Sequence, residues 1–435
     1  MTAPKIPNLF AVPELKEKIL FTLLILVIYR FGAHIATPGV NVQVLSDFIN
    51  NQAQTLFGVY DMFVGGGLSR ATILALGIMP YISASIMFQL AGAMFPYVEK
   101  LQKEEEGRKK ITQWTRYATV LLSVGQAYAF AIFTESLGAV LNPGMAFRLT
   151  TVLMLTTGAI FVMWLGEQIT ERGIGNGMSL LIFFSIMEGM WPGMFRTFDF
   201  LQTGVITPLK LFVLLGVMVG VIAGVVAMTV AARRIPIQIP RKVMGRGRIR
   251  EGQKTFIPIR INSAGVMPII FAQSIIIVPG TIAAFTTIPS FQVLADVFAP
   301  QTATYYVTYA VAIIFFTYFY TSIIFNPVDL AENLKKQGGF IPGVKPGTAT
   351  ADYIDDVLSR VTLPGSMFLA TIALLPFFIL DAFNVPFSFG GTALLIIVGV
   401  ALDTVVQVQQ HLHLRHYDDF MKKGRIKFRG RRRHM

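Results

Sequence analysis

Ten apolar stretches, each long enough to cross a bilayer, recur along the 435-residue chain. They lie near 18–35, 71–93, 113–134, 149–169, 177–195, 209–232, 262–285, 303–326, 363–382 and 391–410. A spanning helix needs roughly 20 largely apolar residues, so runs of this length leave few folds open. Only 14% of residues are charged, against about a quarter in a soluble domain. The period-two alternation of a lipid-facing strand is absent from these stretches, which disfavours a β-barrel. The expected class is an all-α integral membrane protein with ten transmembrane helices.

The first stretch, "ILFTLLILVIY", follows Lys16 and Lys18 as a signal peptide would. Arg30 and the missing small-x-small cleavage site argue for a retained span. Net charge is +13, and its placement is one-sided. Ten spans put both termini on one face. Of 37 Lys and Arg residues, 32 fall on that face, and the other holds only Arg30, Arg70, Arg148, Arg196 and Lys210. Cytoplasmic loops carry the excess of Lys and Arg, so both termini are expected in the cytoplasm. One helix more or fewer would scramble this asymmetry. There is no cysteine, which excludes disulfides, thiolate metal sites and cysteine nucleophiles.

Two loops on the basic side are long, about 233–261 and 327–362. The first alternates apolar and basic residues around a Gly-rich tip, as a β-hairpin would. The second opens as a helix end, turns through Gly and Pro, and resumes as a helix. Loops this long in a membrane protein tend to carry contacts. "KEEEGRKK" reads as a solvated turn. "ERGIGNG" follows no strand, so it is a tight turn and not a nucleotide loop. The tyrosines of "YYVTYAVAIIFFTYFYTS" read as interface anchors at both ends of span eight. "HLHLRH" lacks the carboxylate or cysteine cluster that would support a metal site. Glu188 and Asp403 are ionisable residues within spans and invite a functional reading. No HExxH or intramembrane-protease pattern occurs, so no catalytic residue, metal or cofactor is expected.

Residues 57–70, "FGVYDMFVGGGLSR", are too short to cross and too apolar for an ordinary loop. Irregular backbone at membrane depth must be covered by protein or line a cavity. The expected arrangement is a half-helix held inside the protein, with the glycines as its hinge. In span two, Ile78 and Ile82 share one face, while Ser83 and Gln89 are placed on others. A central Pro80 would free a backbone carbonyl. Span seven has the same character, with Asn262, Ser263, a central Pro268 and Gln273. Two such spans suit either a seam that opens or polar helix-helix contacts.

Seven stretches resemble the SecY family of protein-conducting channels: "ILFTLLILVIYRFGAHIATPGV", "GGGLSRATILALGIMPYISASI", "EEGRKKITQWTRYATV", "WLGEQITERGIGNGMSLLIF", "INSAGVMPIIFAQSII", "NLKKQGGFIPGVKPGTATADYI" and "FGGTALLIIVGVALDT". They run in family order from the first span to the last. The resemblance implies an hourglass pore built from two pseudo-symmetric halves of five helices. Residues 1–200 would carry spans one to five, with a plug at about 57–70. Residues 201–435 would carry spans six to ten and the loops at about 233–261 and 327–362. No internal repeat is evident from the residue pattern.

It further implies a pore ring of Ile78, Ile82, Ile182, Ile270 and Ile396. The plug would include Tyr60, Phe63, Gly65, Gly66, Gly67 and Arg70. Ser83, Gln89, Asn262 and Val278 would fall on a lateral gate. Arg241, Lys242, Arg246, Arg248, Lys335, Lys336 and Lys345 would dock a SecA motor or the RNA of a ribosome. Unfolded secretory proteins would cross through the pore, and membrane proteins would leave sideways into lipid. The implied partners are SecE, SecG, SecA, the ribosome, signal sequences, nascent chains and membrane lipids. The implied location is the bacterial cytoplasmic (inner) membrane. Two residues depart from the family pattern. Lys345 stands in "GVKPG" where arginine is frequent, which keeps charge but loses bidentate geometry. Gly247 replaces a frequent arginine in "GRGRIR". The rival classes are a small-solute transporter, which would need a polar midplane site, and an intramembrane enzyme.

Overall fold

The computed structural model describes residues 13–51, 56–204, 207–238, 242–244, 248–250, 254–285, 302–383 and 391–423. In chain order the helices are α1 (Pro13–Gly32), α2 (Val42–Asn51), α3 (Leu56–Phe63), α4 (Met79–Met94), α5 (Pro96–Lys103), α6 (Glu105–Ser136), α7 (Met145–Arg172), α8 (Gly177–Gln202) and α9 (Pro208–Val230). Four strands follow: β1 (Ala232–Gln238), β2 (Lys242–Met244), β3 (Arg248–Arg250) and β4 (Lys254–Arg260). Then come α10 (Met267–Phe285), α11 (Ala303–Ile324), α12 (Pro327–Lys336), α13 (Thr348–Phe383) and α14 (Gly391–Lys423). Each of the ten predicted spans overlaps one of these helices. Six helical stretches pass on length and composition as bilayer-crossing, and α4 with α5, bent by 109°, makes a seventh.

Four helices start where a side chain serves their open amides. Asn176, Thr207, Thr302 and Asn326 cap α8, α9, α11 and α12 by accepting from first-turn N–H groups, as short polar residues do at helix starts. Inside the helices, buried hydroxyls are satisfied locally. Thr115, Thr119 and Ser123 on α6, and Thr317 and Thr321 on α11, each donate to the carbonyl four residues back. Such bonds suit polar side chains at depths where water is scarce.

Packing sorts the helices into two groups. In the first, α6 packs on α4 and α7, and α7 also packs on α1 and α8. In the second, α11 packs on α10 and α13, and α14 packs on α9 and α13. The groups meet where α4 touches α10 and where α8 touches α14. One apolar core runs through both, drawing on α1, α4, α7, α8, α10, α11, α13 and α14. A second, smaller core lies under the strands.

Three expectations need correction. Pro80 is not central to a helix. α4 begins at Met79, and Pro80 sits in its first turn, where its missing N–H leaves nothing unpaired. Pro268 likewise is the second residue of α10. Residues 71–78, expected to be helical, form turns that pair with the chain after α1: Thr37 N donates to Ala71 O at 2.7 Å and Ile73 N to Ile35 O at 2.9 Å.

This comparison exposes a short repeat. "GIMPYISASI" from Gly77 and "GVMPIIFAQSI" from Gly265 both read Gly-x-Met-Pro and both open a helix. Gly77 and Gly265 share a positive φ, +53° and +63°, which a residue with Cβ adopts at a cost. Ile82 and Ile270 then stand at matching places, each five residues past its glycine.

The tyrosines of α11 are the third correction. Tyr305 and Tyr309 are fully buried, with rings stacked 5.9 Å apart. Tyr306 packs on Phe378 and Tyr320 on Phe271. Tyr305, Tyr309, Ile313 and Phe316 are spaced by four, four and three, so they form one core-facing stripe.

Candidate functional site

A cavity of about 370 Å³ opens at the seam between α4 and α10. Ile82 from α4, Ile182 from α8 and Ile270 from α10 line it together, with Met178, Met267 and Phe271. Its polar wall comes from Ser85, Gln89, Thr112, Arg116, Glu167, Thr170 and Glu171. Arg116 donates to Glu167 Oε1 at 2.8 Å, clamping α6 to α7 at this rim. Ile78 and Ile396 do not line the cavity, but both are buried in the same core as the other three, at 6% and 0% exposure. Ile78 precedes the first turn of α4 and its carbonyl accepts from Ile82 N at 3.1 Å.

Of the four residues expected at a lateral gate, Gln89 alone lines the cavity. It does not lie away from Ile82 as expected. Seven residues make nearly two turns of helix, so Ile82, Ser85 and Gln89 share one face, and Gln89 Nε2 donates to Ser85 Oγ at 3.0 Å. Ser83 is half-buried and off the cavity. Asn262 precedes α10, is 8% exposed, and its Oδ1 has no hydrogen-bond partner among the described residues. Val278 lies in α10, with its side chain outside the described residues. Ser85, one of the span-two serines expected at a gate lip, also lines the cavity, and so do Tyr81, Phe271 and Tyr320, which escaped the sequence reading.

The residues expected to form the plug make one compact unit against α8. Tyr60 and Phe63 on α3 are buried, and Tyr60 Oη donates to Leu76 O at 3.1 Å. Asp61 accepts from Leu68 N and Ser69 N at 2.9 Å each, tying α3 to the turn that follows. Gly65 and Gly66 have φ of +71° and +75°. A Cβ on Gly65 would stand 3.2 Å from Ser185 Cα on α8. Ser185 Oγ in turn bonds Tyr29 Oη of α1 at 2.7 Å. The glycines thus serve close approach as well as a turn. Arg70 reaches Glu188 Oε1 of α8 at 3.3 Å, and Arg30 of α1 pairs with the same oxygen. Asp403 of α14, the other carboxylate within a span, sits over the turn before α10, where a Cβ on Gly265 would lie 3.6 Å from its Oδ2.

The two long loops are one structural unit. β1 pairs antiparallel with β4 from Ala232↔Arg260 to Gln238↔Lys254, and β2 pairs with β3. Gln238 and Phe340 exchange backbone bonds of 2.9 and 3.0 Å, joining the hairpin to the turn after α12. Ile235, Ile237 and Ile259 bury against Leu334, Ile341, Ile354 and Leu358. Lys335 and Lys336 are exposed at the end of α12, and Lys345 is exposed in the turn beyond. Lys242 and Arg248 lie on β2 and β3, with side chains outside the described residues, as are Arg241 and Arg246 entirely. Among the described residues no group of three His, Asp or Glu side chains could hold a metal ion.

Known proteins give the arrangement its context. The SecY family model matches residues 72–405. A protein translocase subunit SecY of Aquifex aeolicus is 45% identical over 423 residues, covering 95% of this chain and 98% of that one. A solved channel whose SecY plug domain is described as stabilising the closed state and maintaining a membrane seal superposes with a TM-score of 0.66 at 18% identity, covering 98% of this chain and 100% of that one. Sec61 of the canine ribosome-channel complex superposes with a TM-score of 0.62 at 17% identity, again covering 98% and 100%. The last two likenesses concern the fold.

Proposed function

The chain belongs to the SecY family of protein translocase subunits, and from that premise we propose how its residues divide the work. It is a multi-pass membrane protein, a protein-conducting channel subunit and not an enzyme. Each unpaired peptide group moved into hydrocarbon costs on the order of 4–8 kcal/mol, so an unfolded chain needs a wet path. A permanently wet path would leak ions. A ring of Ile78, Ile82, Ile182, Ile270 and Ile396 resolves the conflict: it dewets when empty and yields around a backbone without binding it.

The plug, about 57–70, backs the ring from the far face. The seam of α4 and α10, with Ser83, Gln89, Asn262 and Val278, forms the lateral gate. There a segment can compare water with lipid, which favours leucine by a few tenths of a kcal/mol and disfavours arginine by roughly 3 kcal/mol at helix centre. Residues 1–200 and 201–435 are the two halves that part at that seam. SecE and SecG would complete the translocase in the bacterial inner membrane, with both termini in the cytoplasm. The sequence carries no nucleotide-binding motif, so a SecA motor or a ribosome supplies the drive. It would dock on Arg241, Lys242, Arg246, Arg248, Lys335, Lys336 and Lys345.

The observation that carries this reading is the meeting of Ile82, Ile182 and Ile270, from three helices and both packing groups, on one cavity. The test is Ile82→Asn and Ile270→Asn in proteoliposomes. Anion efflux and export of precursors with defective signal sequences should both rise. Wild-type values of both would remove these side chains from the constriction.

A further inference from the structure

Glu188 lies in the apolar helix α8, yet its side chain is only 12% exposed. Its Oε1 is shared by two guanidinium groups, Arg30 from α1 and Arg70 from the turn after α3, with 35% and 40% of their side chains exposed. The cluster therefore holds two positive charges and one negative, and the carboxylate is what lets the two cations share the site. Arg70 is not a loose end. Asp61 on α3 holds Leu68 N and Ser69 N, and Ser69 Oγ donates to Gly66 O at 3.1 Å. A pull on Arg70 is thus a pull on α3. The partner side is equally firm: Tyr29, beside Arg30, bonds Ser185 three residues before Glu188.

We propose that Glu188 is a positioning residue that latches the plug to α1 and α8 and so sets how strongly an entering segment must compete to open the channel. The inference rests on the plug reading above. With the carboxylate neutralised, Arg30 and Arg70 repel, so attraction becomes repulsion at the same spot. With Arg70 neutralised instead, attraction is merely lost. Glu188→Gln should therefore open the channel more than Arg70→Gln, and exchanging all three charges should restore closure, since acids at 30 and 70 around an arginine at 188 keep both attractions.

The experiment uses the full chain in proteoliposomes with its companion subunits. Basal anion efflux should rise about tenfold in Glu188→Gln, equivalent to about 1.4 kcal/mol, and by about threefold in Arg70→Gln, within the range of a half-exposed ion pair. The full exchange, Arg30→Glu and Arg70→Glu with Glu188→Arg, should return efflux to within about twofold of wild type. The same order should appear in the export of precursors whose signal segments are shortened in apolar length. If Glu188→Gln does not accumulate, Arg70→Gln and the exchange still read the pair.

A cross-link separates this idea from its premise. The chain has no cysteine, and Met62 Cγ lies 3.9 Å from where a Cβ on Gly189 would stand. Oxidising a Met62→Cys, Gly189→Cys pair should block export, and reduction should restore it. Export unaffected by the cross-link would overturn the plug reading and the latch with it. A cross-link that blocks export, beside wild-type efflux in Glu188→Gln and Arg70→Gln, would overturn the latch alone. Efflux that rises in both single variants and stays high in the exchange would assign them to packing and also overturn it.

Discussion

Gly65 and Gly66 are adjacent and differ in what surrounds them, which makes them a measured test of how the plug is seated. Both have φ in the left-handed region, +71° and +75°, so alanine at either position costs about 1–2 kcal/mol in backbone strain. At Gly66 the added methyl would meet the tip of Arg70, 3.5 Å away, which can swing aside. At Gly65 it would meet Ser185 Cα at 3.2 Å, and Cβ and O at 3.3 Å. Two of those atoms are helix backbone and cannot yield without moving α8. Overpacking of this kind adds about 1–3 kcal/mol. The penalty falls on the seated plug, because withdrawal from α8 relieves the contact. Gly65→Ala should exceed Gly66→Ala by about 1–3 kcal/mol, a factor of roughly 5–150 in the open fraction. Basal anion efflux from proteoliposomes, compared at equal protein incorporation, reads that ratio. Equal efflux in the two variants would refute the claim that close approach to α8 seats the plug.

Two further outcomes follow from the same geometry. Pro80→Ala and Pro268→Ala should each shift stability by under about 1 kcal/mol and leave export intact, because first-turn prolines do no kinking; a loss near 3 kcal/mol or more in detergent unfolding would restore the interior-kink reading. Reversal of Arg246, Arg248 and Lys345 to glutamate should weaken SecA-driven export or ribosome binding, most at low salt, and unchanged affinity there would count against the docking surface.

The ten helices were legible because an apolar run of spanning length has almost no other fate. Their exact starts at α4 and α10 were not. Apolar residues continue upstream through 71–78, and hydropathy does not distinguish a covered turn from a helix. The Gly-x-Met-Pro repeat would have marked both starts, since Pro belongs at a helix beginning and Gly in the turn before it. The resemblance places Ile82, whereas Gln89 belongs to the same face because seven residues make nearly two helical turns. Alternation at Ile235, Ile237, Ile257 and Ile259 correctly gave strands with one buried face. It could not say that Leu334 and Ile354 would cover them, because a pattern defines a face and not its partner. Glu188 stood out as a charge in an apolar helix, while its pairing with Arg70, 118 residues away, depends on how α3 folds back.

The ion pairs also bear on the charge asymmetry from which the topology is expected. Five basic residues are expected on the far face. Three of them, Arg30, Arg70 and Arg148, are matched by carboxylates: the first two by Glu188 and the third by Glu135, at 2.7 Å. A lone guanidinium near hydrocarbon is costly and would compete with the loops on the opposite side for orientation. Pairing lowers that cost and gives each cation a structural task. Glu135 also accepts from Gly144 N at 3.0 Å, closing the α6–α7 turn around Arg148. Arg148 joins α6 to α7, and Arg30 and Arg70 join α1 and the turn after α3 to α8. In the basic loops, Lys335 and Lys345 are exposed and Lys336, among the described residues, pairs only with Glu332 at 3.6 Å, and charge left open to solvent is charge available to a polyanionic partner.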